Sequence, residues 1–237
     1  MPMFKKFINE EEVFAISDNL TWTVKEIGPA KSKIIICDNF YKNPELVRDL
    51  ALSIPPSVNE RVASNLPVGS DSGRINAFYL LDHLAIPIQE MFRQELPEIY
   101  KLAPLGYFEH SFLDATFLCN VMTGNNLPPR VPHCDAPHPY LYAAVIYLNT
   151  EEECAGGTAF YTFGGEHRGN ADTMDVAGKI PMDHYVTDSE GDWEMLELVE
   201  MKFNRFVMYP QWQYHTAYIK PDMFVDGTYR INQCFFI

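Results

Sequence analysis

The segment Val131-Pro132-His133-Cys134-Asp135 carries an imidazole and a carboxylate two residues apart. In an extended strand, residues i and i+2 project from the same face. His133 and Asp135 would then stand side by side, with Cys134 turned the other way into packing. Together they are two members of a facial set of two histidines and one carboxylate, which suits Fe(II) and leaves coordination positions open. The missing imidazole has to come from another strand. His215, in Tyr209-Pro-Gln-Trp-Gln-Tyr-His215, is the candidate.

Iron held on one face can accept a chelating α-keto acid and O₂ on the other, and a fourth protein ligand would block that. The carboxylate offsets part of the metal charge and the imidazoles bind as neutral bases. Because the ligands must be deprotonated, iron affinity should fall as pH drops through the histidine pKa. A dicarboxylate cosubstrate also needs a cation beyond the metal. Arg230 offers a planar fork for one carboxylate. It follows a turn over Pro221 to Gly227, and a hairpin there would return its strand beside the one carrying His215. Strand alternation groups Arg230, Asn232 and Cys234 on one face, with Ile231, Gln233 and Phe235 on the other. Asn232, on the Arg230 face, and Asn120 and Tyr142, on neighbouring β-type runs, are further candidates for binding the keto acid, whereas Tyr147 and Tyr161 read as packing residues. His138 is placed to shape the mouth of the site. His83, His110, His167 and His184 have no partner at ligand spacing and read as loop or surface residues.

These side chains need strands to position them, and the pattern supplies them. From about Phe112, short β-type runs alternate with Gly and Pro breaks: Phe117 to Met122, Tyr140 to Leu148, Thr158 to Phe163, Arg205 to Tyr209, His215 to Ile219 and Tyr229 to Ile237. Recurrent short strands with turn signals indicate a sandwich or barrel. The acidic stretch 164–204 is too long for a simple hairpin loop and reads as an insert, with a short helix or strand near Trp193 to Val199. Earlier, Lys33 to Asp38 reads as a buried strand. Asn43-Pro44-Glu45 starts a helix with Leu46, Val47, Leu50 and Ala51 on one face, ending before Pro55-Pro56. Asn59 to Gly73 reads as a long loop, and a second amphipathic helix fits Pro87 to Leu96, with Pro97 ending or interrupting it.

The order of His133-x-Asp135, Gly156-Gly157-Thr158, Asn204-Arg205-Phe-Val-Met-Tyr-Pro, His215 and Arg230 resembles the Fe(II)/2-oxoglutarate-dependent dioxygenase superfamily, in its prolyl-hydroxylase-like branch. The front segment, Ile34 to Phe40 followed by Asn43-Pro44, is similar to the leading strand and first helix of such enzymes. The resemblance implies a mainly β fold with flanking helices, a double-stranded β-helix of the jelly-roll or cupin-like kind. It implies one domain over 1–237: an N-terminal α/β support (1–111) and a barrel core (112–237) with the insert 164–204. It further implies His133, Asp135 and His215 as iron ligands, with Arg230 on the distal carboxylate of 2-oxoglutarate. The implied reaction uses O₂ to hydroxylate an unactivated C–H of a small molecule, amino-acid derivative or peptide side chain, releasing succinate and CO₂. Prolyl hydroxylases commonly use Lys where Arg230 stands, which argues against a prolyl substrate. Two rival readings are a cupin-type metal enzyme without 2-oxoglutarate and an inactive binding module on the same scaffold. Cupins typically supply His-x-His rather than His-x-Asp.

Composition narrows the partners. The chain of 237 residues carries 18 Lys and Arg against 32 Asp and Glu, a formal charge of −14. Phosphate binding requires concentrated basic charge, and no basic run exceeds Lys5-Lys6, which weighs against nucleic acid. No apolar run reaches membrane-spanning length. Five cysteines without C-x-x-C spacing, behind a start with no apolar leader, indicate reduced thiols in the cytoplasm. Acidic groups at Glu151 to Glu153 and Asp172 to Glu200 would favour a neutral or cationic substrate at the barrel mouth. The sequence leaves the oligomeric state open.

Overall fold

The computed structural model describes residues 7–54, 73–77, 79, 81–102, 117–122, 124, 127, 130–135, 142–166, 185–225 and 227–237. Of the predicted loop at 59–73 only Gly73 is described, and it opens a strand; His110, His138, His167 and His184 lie outside the described residues.

Helix α1 (Glu10–Val13) precedes a hairpin of β1 (Trp22–Ile27) and β2 (Ser32–Cys37). Helix α2 (Pro44–Leu52) follows with Pro44 at its first turn, where a missing N–H costs nothing, and it buries Val47, Leu50 and Ala51. Asn43 makes no side-chain cap here; its amide donates to the Glu12 carbonyl at 3.0 Å and ties α2 to α1. After β3 (Gly73–Ala77), helix α3 (Ala85–Glu95) begins two residues earlier than Pro87 suggests. A 3-10 turn at Asp82–Leu84 feeds it, so Pro87 still falls in the first turn. Pro97 then interrupts rather than ends the helical stretch, opening α4 (Pro97–Leu102).

The remaining strands are β4 (Phe117–Met122), β5 (Tyr142–Tyr147), β6 (Gly157–Phe163), β7 (Trp193–Glu200), β8 (Phe206–Pro210), β9 (Tyr214–Tyr218) and β10 (Arg230–Phe236). They form a seven-stranded sheet, β1-β2-β8-β5-β10-β4-β3, and a three-stranded sheet, β7-β6-β9. All pairings are antiparallel. An isolated bridge between His133 and His215 adds the segment 130–135 to the free edge of β9. From β4 onward the chain therefore alternates between sheets: β4, then 130–135, β5, β6 and β7, β8, β9, β10. That path is a double-stranded β-helix, the mainly β jelly-roll architecture with helices on one side. The N-terminal strands are not a separate layer, because β2 pairs with β8 and β3 with β4.

Alternation divides the core. Tyr142, Ala144 and Ile146 of β5 face α2 and α3 together with Ile231 and Phe235 of β10. Ala143, Val145 and Tyr147 face the space between the sheets, where they meet Phe160, Val199, Val207 and Tyr209. A third cluster, with Cys134, Tyr161, Trp193 and Tyr214, covers the outer face of the small sheet.

One expectation is overturned. No hairpin joins the strands of His215 and Arg230: β9 pairs with β6 and β10 pairs with β4 and β5. Both edges of β9 are taken, by β6 and by residues 130–135, so the chain must cross to the other sheet. Arg230 consequently meets the site from across the barrel.

The turn into β8 is locked by Asn204, which is buried with φ of 60°. Its side chain accepts from the Tyr41 N–H and donates to the Tyr41 carbonyl, both at 2.8 Å. Nearby, Arg205 grips Asp38 through Nε at 2.6 Å and Nη2 at 3.0 Å, which holds that carboxyl below its usual range. Asn204→Ala strands two buried backbone groups and forces a left-handed Ala, so it should lower unfolding free energy by about 2–4 kcal/mol in urea titration. Asn204→Gly, which adopts positive φ freely, should lose less.

Candidate metal centre

Residues 130–135 lie against β9 through reciprocal backbone bonds. The His133 N–H donates to the His215 carbonyl at 2.9 Å and the His215 N–H to the His133 carbonyl at 2.8 Å. Asp135 extends the contact, its N–H donating to Gln211 O at 2.9 Å. Directly paired residues share a face, and Asp135 rejoins that face two positions on. The result is the described cluster with ligand geometry: one atom each of His133, Asp135 and His215, all within 4.8 Å of one another. The two Asp135 oxygens face different imidazoles, Oδ2 lying 3.5 Å from His215 Nε2 and Oδ1 3.8 Å from His133 Nε2. The rings lie 4.5 Å apart, and Cys134 is buried on the opposite face, as alternation requires.

His215 is prepared as a ligand. Its Nδ1–H donates to the Gln213 carbonyl at 2.9 Å, which fixes the tautomer and leaves the Nε2 lone pair toward Asp135. Burial pushes its pKa below the usual 6.5; Asp135 and the Gln213 carbonyl oppose this shift and Arg130 adds to it. The ring is therefore neutral at neutral pH, as coordination demands. Tyr209 packs against it at 4.5 Å between ring centres, backed by Phe160. The cluster opens to one side: side-chain exposure rises from 7% at His215 through 20% at Asp135 to 33% at His133. Two imidazole nitrogens and one carboxylate on one face, with an open side, fit a divalent iron.

On the facing sheet, Arg230 is 3% exposed. It donates to Asn232 Oδ1, approaches the Gly157 carbonyl at 3.4 Å through Nη2, and lies 5.5 Å from the centre of the Tyr147 ring. Its Nε has no hydrogen-bond partner. Arg48, Arg93 and Arg205 pair with carboxylates; among the described residues none pairs with Arg230. A buried guanidinium with an orphan donor fits an incoming carboxylate. The Tyr209 phenol links the two halves, being raised by burial and by Asp135 and lowered by Arg230.

The other expected residues divide by face. Asn232 and Asn120 are cross-strand partners on the Arg230 side, and both amides donate to Cys234 Sγ at 3.1 Å. Tyr142 is a correction: it faces the helices and packs on Phe92 at 5.1 Å, so it does not reach the site. Tyr147 lies an odd number of positions along the same strand and takes the inward place. Its hydroxyl shares a 2.7 Å bond with Thr158, and its pKa is raised by burial against the pull of Arg230. Arg130, at 2.8 Å from His133 Nε2, was not anticipated either; its only sequence signal is a basic residue three positions before His133. His83 is an exposed residue whose Nε2 lies 2.9 Å from Phe14 O.

Gly156-Gly157 has a steric purpose where β6 enters between β7 and β9. A Cβ on Gly156, at φ 64°, would lie 2.0 Å from the Tyr218 carbonyl oxygen, and one on Gly157 would lie 2.1 Å from that of Val199. The close approach also brings the Gly157 carbonyl to Arg230.

Residues 80–228 match a family described as "Family of unknown function (DUF6445)". No curated protein matches the chain. Among solved structures it is similar to a Pseudomonas putida prolyl-4-hydroxylase, with a TM-score of 0.41 and 15% identity over 87% of this chain and 93% of that one. It is also similar to an oxidoreductase of the 2OG-Fe(II) oxygenase family from Burkholderia pseudomallei, with a TM-score of 0.39 and 12% identity over 86% of this chain and 82% of that one.

The lowered pKa of His215 has a stability consequence. Its native state binds a proton less readily than the unfolded chain, so its contribution is complete above about pH 6.5 and is lost as pH falls through the native value. In metal-free protein, the urea midpoint of wild type should fall more below about pH 6.5 than that of His215→Asn. Parallel pH curves would refute the assignment.

Proposed function

The chain belongs to the DUF6445 family, and for it we propose a non-haem Fe(II)/2-oxoglutarate-dependent dioxygenase that hydroxylates an unactivated C–H of a small molecule, amino-acid derivative or peptide side chain. The observation that carries this reading is a pairing across the barrel. An open two-histidine, one-carboxylate cluster stands on the small sheet, and a buried arginine without a carboxylate partner among the described residues stands on the large one.

Each side chain has a task. His133, Asp135 and His215 would hold the iron through Nε2, a carboxylate oxygen and Nε2. The Gln213 carbonyl and Tyr209 orient His215. Arg230 would take the distal carboxylate of 2-oxoglutarate, held in place by Asn232, Gly157 and the Tyr147 ring. Burial strengthens that contact, because little water competes for the guanidinium. Iron with O₂ and 2-oxoglutarate supplies oxidative decarboxylation to succinate and CO₂, coupled to C–H hydroxylation. The apolar surround of Phe160, Val145 and Val207 keeps water from the cosubstrate side.

Anaerobic addition of Fe(II) and 2-oxoglutarate should produce a visible metal-to-ligand charge-transfer band in wild type; its absence overturns the reading. His133→Ala and Asp135→Ala should abolish the band. Arg230→Met should retain it at saturating cosubstrate but raise the Kd for 2-oxoglutarate by about 100-fold, the cost of removing one partner of a buried charge pair. An unchanged Kd would remove Arg230 from the cosubstrate site.

A further inference from the structure

Resting on that reading, we propose that Arg130 is the specificity-determining residue of the site and that the substrate presents a carboxylate to it.

Two arginines with described side chains pair with no carboxylate among the described residues, and both flank the same cluster. Arg230 is deep and faces the cosubstrate position. Arg130 is half-buried and stands at the open side, beside His133, the most exposed ligand. Its backbone is held: its carbonyl accepts from the Val186 N–H at 2.9 Å, and it bridges to Tyr185. Its guanidinium is therefore delivered to the mouth by a fixed segment rather than by a loose loop.

Its present acceptor is informative. Arg130 Nη2 lies 2.8 Å from His133 Nε2 and 3.3 Å from Nδ1. Nε2 is also the atom that faces Asp135. One imidazole lone pair cannot accept from a guanidinium and bind a metal together. With Nε2 given to iron, Arg130 would lose this acceptor and stand as a cation beside a cation. Its planar fork then calls for an acceptor with two oxygens, and a carboxylate on the substrate matches in charge and geometry. A direct contact at that range outweighs the chain's more distant acidic groups, because such fields are screened over about 8–10 Å of water. The substrate near iron is accordingly anionic, although the chain as a whole carries −14. The fork would fix which C–H lies over the open coordination position, at the distance set by the three-residue step from Arg130 to His133.

The test uses the full chain loaded anaerobically with Fe(II) and 2-oxoglutarate. The probes are N-acetyl and free L-amino acids, each against its C-terminal amide, and the readout is the Kd from perturbation of the charge-transfer band. Carboxylates should bind wild type at least about tenfold more tightly than their amides. Arg130→Met should erase that difference while leaving the Kd for 2-oxoglutarate and the thermal midpoint unchanged. Arg130→Lys should restore part of it, since the charge remains and the fork does not. Equal binding of acids and amides, no perturbation by any acid, or full discrimination in Arg130→Met overturns the proposal. A raised Kd for 2-oxoglutarate in Arg130→Met also overturns it, by assigning the residue to the cosubstrate. Failure of the band to form in wild type is a different result, which removes the oxygenase reading itself.

Discussion

The pair of hydrogen bonds exchanged by the His133 and His215 backbones is the constraint on which the site depends. Each bond is ordinary, worth about 1 kcal/mol net in stability. Their value is geometric. A directly opposed pair in antiparallel register places two side chains on one face within a few ångströms, and the Asp135–Gln211 bond keeps the third in line. The segment 130–135 is held by one bridge to β9, by a second to Tyr185 and by Cys134 packed in the outer cluster. Slipping it by one residue would send both ligands outward and Cys134 inward.

The rest of the barrel prepares the other half of the problem, a cation inside an apolar space. Burying a guanidinium is costly unless its donors are met. Asn232, the Gly157 carbonyl and the Tyr147 face meet part of that demand around Arg230 and leave Nε open. Within the small sheet, Gly156 and Gly157 carry no Cβ where the Tyr218 and Val199 carbonyls press in, and the Gly157 carbonyl is turned toward Arg230. The glycine pair is thus a close contact inside the small sheet, one that any side chain would push apart.

The ends of the crossing strands are pinned independently of the site. Asn204 uses its left-handed backbone and both amide atoms to tie the start of β8 to Tyr41, and Arg205 clamps Asp38 beside it. Tyr41 in turn donates to Gln233 on β10 at 2.9 Å. These contacts join β2, β8 and β10, which are separated by long stretches of chain. They keep the large sheet in register, while the segment 130–135 and β9 of the small sheet carry the cluster.

The local signals in the sequence were sufficient for β2 and most of the barrel strands, α2, the candidate ligands His133, Asp135 and His215 and the inward group of Arg230, Asn232 and Cys234. All of these follow from a period of two or 3.6 and from the chemistry of residue types. Edge strands β1 and β3 escaped; in β1 Lys25 and Glu26 stand side by side and only Ile27 is buried, so its residues show neither an apolar run nor a clean alternation. Only the tertiary structure decided what depended on crossing between sheets. It sent β10 to the opposite sheet from β9, since both edges of β9 were occupied. It chose Tyr147 over Tyr142, because a strand's two faces are equivalent until its neighbours are known. It brought Arg130 onto His133 Nε2 as well, for a side chain's target depends on what lies opposite its strand. Sequence periodicity specifies which residues travel together; long-range pairing specifies what they face.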